Sequence, residues 1–231
     1  MDYADQLYAL LSQENPSVQR VYKGVAVRRT VSPAYEPFAL ETIKRHLKLP
    51  LSATNEDTTL TLYMTAARIW AEGYTNLSLM QQTYLQTFNN VDRIVKLLRK
   101  PVLSVESVKI IANSESDTLT TVLSSTYSLT EDGFLYARSS WPSHRNFKSF
   151  QITFKTGFAT LPDSPTEGEI ATARAAIPSN IQLAMLNFIG HMYENREGQG
   201  PDSKYEVNAK LAGNAPQNAV LLLEEYRPWS V

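Results

Sequence analysis

Residues 177–198, IPSNIQLAMLNFIGHMYENREG, constrain this chain most, because a start signal, an apolar period and a stop signal coincide there. Pro178 suits the first turn of a helix, where its missing N–H would have no partner in any case. Ile181, Ala184, Met185, Phe188, Ile189 and Met192 recur at helical spacing and predict one apolar stripe. Glu194, Asn195, Arg196 and Glu197 are polar on every side, and Gly198, Gly200 and Pro201 cannot extend a helix without cost. A helix of about five turns cannot bury such a stripe alone, so other segments must supply the facing surface.

Two segments carry the matching pattern. Leu40, Ile43 and Leu47 predict a short helix ended by Pro50. Thr54 or Asn55 can cap a second, with Glu56 and Asp57 in its first turn, where carboxylates complement the helix dipole. Leu60, Tyr63, Met64, Ala67, Trp70, Ala71 and Tyr74 form its stripe. Together with the 177–198 helix they predict a three-helix core.

After Gly73 the apolar period shortens from helical to alternating. Met80, Tyr84 and Phe88 share a strand face, residues 102–111 read as a second strand opened by Pro101, and residues 119–123 and 127–129 follow. Asp132-Gly133 predicts a turn before a return strand over 134–136, and Phe150, Ile152 and Phe154 alternate with polar residues. Five or six strands joined by short turns predict an antiparallel sheet inserted between helices. Residues 160–176, rich in Pro, Thr, Ala and acidic side chains, read as a connecting loop. The fold class is therefore α+β: a helical bundle core, an inserted antiparallel β region and extended terminal arms. In residues, the division is a 1–36 helix and basic arm, a core of 37–76 and 177–198, an inserted sheet over 77–158, and a mobile 199–231 arm.

The arms hold the candidate contact residues. Tyr3, Leu7, Leu10 and Leu11 share one face of a short helix, after which residues 15–35 contain no acid while Arg20, Lys23, Arg28 and Arg29 add positive charge. That stretch reads either as a solvated linker or as a contact arm for another subunit or for DNA phosphate. At the other end, residues 219–226 predict a helical turn or two, and Tyr226, Arg227 and Trp229 lie on a tail positioned either to dock or to pack on its own domain.

Chemistry is sparse. The chain has no cysteine, which removes disulfides, thiol catalysis and thiolate metal sites, and its formal net charge of −1 gives no general attraction to nucleic acid or anionic membrane. No stretch is long and apolar enough to predict a membrane span. His46, His144 and His191 each stand alone, and no metalloprotease, phosphate-loop or nucleophile-elbow spacing occurs. Glu194 and Glu197 could be read as an acid/base pair or a cation ligand, but the frayed end of a helix is where solvated carboxylates collect. Neither catalytic residues nor a metal or cofactor site is predicted. Two basic clusters, Arg93, Lys96, Arg99 and Lys100, and Arg138, Arg145 and Lys148 beside Trp141 and Phe147, are read as loop charge with anchoring aromatics rather than a nucleic-acid surface.

One ordered set of short motifs resembles the head-tail connector proteins (adaptor or head-completion proteins) of tailed bacteriophages. It comprises His46, Leu47 and Lys48; Ala66, Ala67 and Arg68; Glu72 and Thr75; Gln82 and Thr83; and Pro101, Val102, Ser104, Val105, Ser107, Val108 and Lys109. Trp141 and Pro142, Gly157, Pro178, and Tyr193 to Glu197 complete it, over roughly residues 36–227. The resemblance implies a non-enzymatic virion protein made in the host cytoplasm, repeated in a ring of about twelve copies under the portal. Implied partners are the portal and a neck stopper or tail-terminator protein, with DNA passing through the lumen and no membrane. Two other roles remain open at this stage: a DNA-binding module using the arm of Arg20 to Arg29, and a neck stopper or tail-completion protein. A hydrolase using His144 or Glu194 would need a concave site holding an acid and an orienting partner.

Overall fold

The computed structural model describes residues 20–22, 25–89, 91–112, 119–141, 147–195 and 215–227. Two strands lead, β1 (Arg20–Tyr22) and β2 (Val25–Val31), followed by helices α1 (Leu40–His46) and α2 (Asp57–Thr75). Seven strands come next: β3 (Gln82–Phe88), β4 (Ile94–Lys96), β5 (Val102–Ala112), β6 (Leu119–Val122), β7 (Tyr127–Leu129), β8 (Phe134–Ala137) and β9 (Phe147–Thr156). Helices α3 (Glu167–Ala175), α4 (Ser179–Glu194) and α5 (Gln217–Leu223) close the chain, the last running into a 3-10 turn at Glu224–Tyr226. No described helix is long and apolar enough to cross a membrane.

The expected helical core forms. Ile181, Ala184, Met185, Phe188 and Ile189 of α4 are buried against Leu60, Met64, Ala67, Trp70 and Ala71 of α2, and Ile43 of α1 joins them. The Trp70 and Phe188 rings lie 4.7 Å apart between centroids. Asn76, at a left-handed φ of +57°, ends α2 and turns the chain toward the sheet. The capping differs from expectation: Glu56 rather than Thr54 or Asn55 is the N-cap, and no side chain caps the helix there. Asp57 instead faces Lys44 of α1 at 2.6 Å.

The β region is larger than five or six strands and divides in two. The main sheet has six strands in the order β1-β2-β3-β9-β5-β6, and a three-stranded sheet, β4-β8-β7, lies apart from it. Every strand pairing in both is antiparallel. Phe150, Ile152 and Phe154 have no exposure, and with Tyr84 and Phe88 they cover one face of the main sheet. Val95, Leu135 and Ala137 of the small sheet join the same cluster, so the small sheet lids that face. Gln86 fastens the lid: its amide donates to the Lys96 carbonyl at 2.9 Å and its oxygen accepts from the Leu98 amide at 3.0 Å.

Three expectations need correction. Residues 20–31 are not a free arm: β1 and β2 are hydrogen-bonded into the main sheet through β3. Residues 160–176 are not wholly loop, because α3 occupies 167–175 behind a capping box in which Thr166 and Glu169 bond reciprocally. Residues 217–226 are not part of a mobile tail: Ala219 and Leu223 of α5 have no exposure and belong to the helical core. The core thus draws on five helices rather than three, since Ala173 of α3 is buried in it too. The short helix expected near residue 7 lies outside the described residues.

Candidate functional site

Helical core and sheet meet at a buried polar junction. Glu72, with no exposure, sits one turn beyond Arg68 on α2, and the two form an ion pair at 3.2 Å. The Glu72 carboxylate also accepts from the Leu79 amide at 2.8 Å and from Gln82 at 2.7 Å. Arg68 reaches Glu36 at 2.9 Å, and Glu36 accepts from Thr65 at 3.0 Å while its backbone carbonyl accepts from Arg174 of α3. From the sheet, Arg29 donates to Gln82 at 3.4 Å, and Arg99 lies 5.5 Å from the Tyr84 ring while donating to the Glu72 carbonyl. Burial pushes the Tyr84 phenol upward, an effect the Arg99 charge partly offsets. A buried charge left without a partner is costly, so this set fixes the angle between the two layers.

A second clamp holds the C-terminal helix. Tyr74 donates to Glu224 at 2.5 Å, the Arg227 guanidinium lies 5.7 Å from the Tyr74 ring, and Asn180 of α4 donates to Glu225 at 2.8 Å. Burial and then the Glu224 carboxylate push Tyr74 up to about 12. The Asn180 hydrogen bond, followed by one from Tyr226, holds the Glu225 carboxyl below its ordinary range.

The predicted contact residues separate. Tyr226 and Arg227 stand at the end of this clamp, with Arg227 exposed, whereas Trp229 lies outside the described residues. Arg28 is exposed on β2 and Arg29, its neighbour, points into the junction, because successive strand residues face opposite ways. Lys23 and the Arg20 side chain lie outside the described residues, and Arg20 itself falls on β1. The four cations therefore form no single described face.

Of the two basic clusters, Arg99 is buried and Arg93 donates to the Ala137 and Arg138 carbonyls. Trp141 is 2% exposed, donates to the Asp92 carbonyl at 2.8 Å and lies 5.0 Å from the Phe150 ring, so it anchors its loop as expected. Among the described residues, no three His, Asp or Glu side chains gather to hold a metal ion. In a recess lined in part by Lys44, Asn55, Glu56 and Tyr193, Lys44 pairs with Asp57 and Tyr193 donates to Glu56 at 2.8 Å.

What remains open is sheet edge and apolar surface. Leu119 and Leu123 are exposed at and just after β6, and Val31 at the end of β2. Ile94 and Tyr136, directly opposite each other in register, are exposed on the small sheet. The alternation of the strands foretells such outward residues, but which strands end up at edges depends on pairing that sequence does not display.

No protein-family model matches the chain, and no curated protein matches it. Solved structures do. The neck of an empty gene transfer agent particle computed with C6 symmetry contains a chain matched with a TM-score of 0.65 at 17% identity, over 89% of this chain and 96% of that one. The virion of the native gene transfer agent particle gives 0.64 at 16% identity over the same shares. The neck of the native particle computed with C12 symmetry gives 0.58 at 18% identity, over 87% of this chain and 97% of that one. Over nearly their whole length, this chain shares the fold of those neck and virion chains, a likeness consistent with the head-tail connector resemblance of its sequence.

Proposed function

We propose that this chain is a structural subunit of a virion neck, repeated in a ring between the portal and the next neck or tail protein, with DNA passing through the lumen. One observation carries the reading: the fold match takes in 96% of a neck chain, so the helix, inserted sheet and helix order is common to both as a unit. The matched necks were computed with C6 and C12 symmetry, which supports a cyclic arrangement of about twelve copies. Closed cyclic contacts join one patch to a different patch, so each subunit needs two unlike lateral faces. The net charge of −1 suits a lumen without a general grip on duplex DNA. The role is structural rather than catalytic.

Within this reading, Tyr226 and Arg227, at the clamped end of α5, form the portal contact together with Trp229. Arg28 is the N-terminal cation placed to touch a neighbouring protein, while Arg29 serves the junction. Purified protein mixed with portal and imaged by negative stain is expected to add a ring of density at the narrow end of the portal. Bare portals beside unassembled protein would reject the role. Trp229→Ala is expected to abolish the added ring without moving the melting temperature; an undiminished ring would remove Trp229 from the contact.

A further inference from the structure

We infer that the two open edges of the main sheet meet between neighbouring copies, β6 of one subunit pairing antiparallel with β1 of the next. The inference rests on the ring reading above and adds to it the contact that closes the ring.

Among the described residues nothing pairs with the outer edge of β6. Among the described residues its strand partner is β5 alone, and residues 119–130, LTTVLSSTYSLT, carry neither a charge nor a proline. Leu119 is 50% exposed and Leu123 71%. Free edges in monomeric proteins are ordinarily blunted by lysine, proline, a bulge or a covering segment, because unpaired N–H and C=O groups template further pairing. An apolar, uncharged edge is what a strand meant to be paired looks like. The sheet's other edge is β1, which among the described residues pairs with β2 alone, and Val31 beyond it is 57% exposed.

Parity makes the two edges complementary. The main sheet has six strands and each neighbouring pair is antiparallel, so β1 and β6 run in opposite directions. Rotation about an axis lying roughly along the strands preserves strand direction, and it therefore brings β6 of one copy beside β1 of the next in antiparallel sense. The join is heterologous, as a closed cycle requires, and a two-fold axis would instead set β6 against β6. The strands are short, three residues in β1 and four in β6, so one join is weak and the contact persists only where many copies close on each other.

The chain has no cysteine, so introduced thiols report without background. The full-length chain carrying Arg20→Cys and Thr121→Cys, assembled on portal, would be treated with a bis-maleimide reaching about 8 Å, enough for direct and diagonal cross-strand neighbours in any register. A ladder of dimers, trimers and higher multiples is expected on a denaturing gel, absent from unassembled protein and from either single-cysteine variant. Rings visible by microscopy that run only as monomers on the gel would overturn the edge contact while leaving the ring intact. Dimers from Thr121→Cys alone would overturn it in favour of a β6–β6 join, and failure of the wild-type chain to form rings would overturn the ring reading with it. As a second variant, Leu119→Lys with Thr121→Lys is expected to lower the ring fraction at least tenfold at an unchanged melting temperature, and an unchanged ring fraction would contradict the proposal.

Discussion

Glu72 shows how little of a residue's role its neighbours in sequence disclose. It lies in a plain helical stretch, yet its carboxylate takes hydrogen bonds from Arg68, the Leu79 amide and Gln82 in a place without solvent. Glu72→Ala removes the buried ion pair with Arg68, 3% exposed, and is expected to cost about 3–5 kcal/mol in denaturant unfolding. The same i,i+4 spacing joins Glu41 and Arg45 on the surface of α1, where Glu41→Ala is expected to cost no more than about 0.5 kcal/mol. Equal costs for the two would refute a buried junction. Gly157 belongs to the same scale: at φ +143°, a Cβ there would stand 2.9 Å from the Gln81 amide nitrogen. Gly157→Ala is expected to destabilise by about 1–3 kcal/mol, read as a lower melting temperature. Arg68, Glu72, Gln82 and Gly157 all belong to the motif set on which the resemblance to connector proteins was read, so their presence was legible. The contact that joins Arg68, Glu72 and Gln82 was not, because it depends on the left-handed turn at Asn76 bringing β3 back across α2.

Elements were read best where one period ran long. The stripes of α2 and α4, and the alternation of Phe150, Ile152 and Phe154, required no tertiary information. Helix α3 escaped because its apolar face is narrow, with only Ile170 and Ala173 buried, although Thr166 and Glu169 stand at capping-box spacing. Thr166→Ala is expected to cost about 1 kcal/mol. The Glu169 carboxyl is held below its ordinary range by hydrogen bonds from the Thr166 amide and then its hydroxyl. A lowered folded pKa stabilises the fold fully above the unfolded carboxylate value of about 4.3, and that contribution is lost as pH falls through the lower folded value. Melting temperatures from pH 7 downward should therefore show a smaller acid-side loss for Glu169→Gln than for wild type; identical slopes would contradict the cap. Helix α5 was visible only as a turn or two, since seven residues carry little period and its main partner, α4, is separated from it by residues 195–216. Leu223, without exposure, should cost about 2–5 kcal/mol on change to Ala, whereas Leu221, 64% exposed, should change stability by less than about 0.5 kcal/mol.

At the scale of the whole molecule, two cores share one polar joint. The described chain enters through the sheet, builds half the helical core, returns to complete the sheet and finishes on the helices, so neither layer closes without a segment from beyond the other. This order explains why residues 20–31 read as an arm in isolation: β1 and β2 are short, basic and completed only by β3, more than fifty residues later. Among the described residues, the two sheet edges and the end of α5 lie on surfaces that the cores do not consume. The most direct test is electron cryomicroscopy of tailed particles assembled with and without an intact copy of this gene. The account predicts an annular protein layer beneath the portal in the first, fitted by this fold, and heads lacking both that layer and the tail in the second; tailed particles that keep the layer without this chain would contradict it.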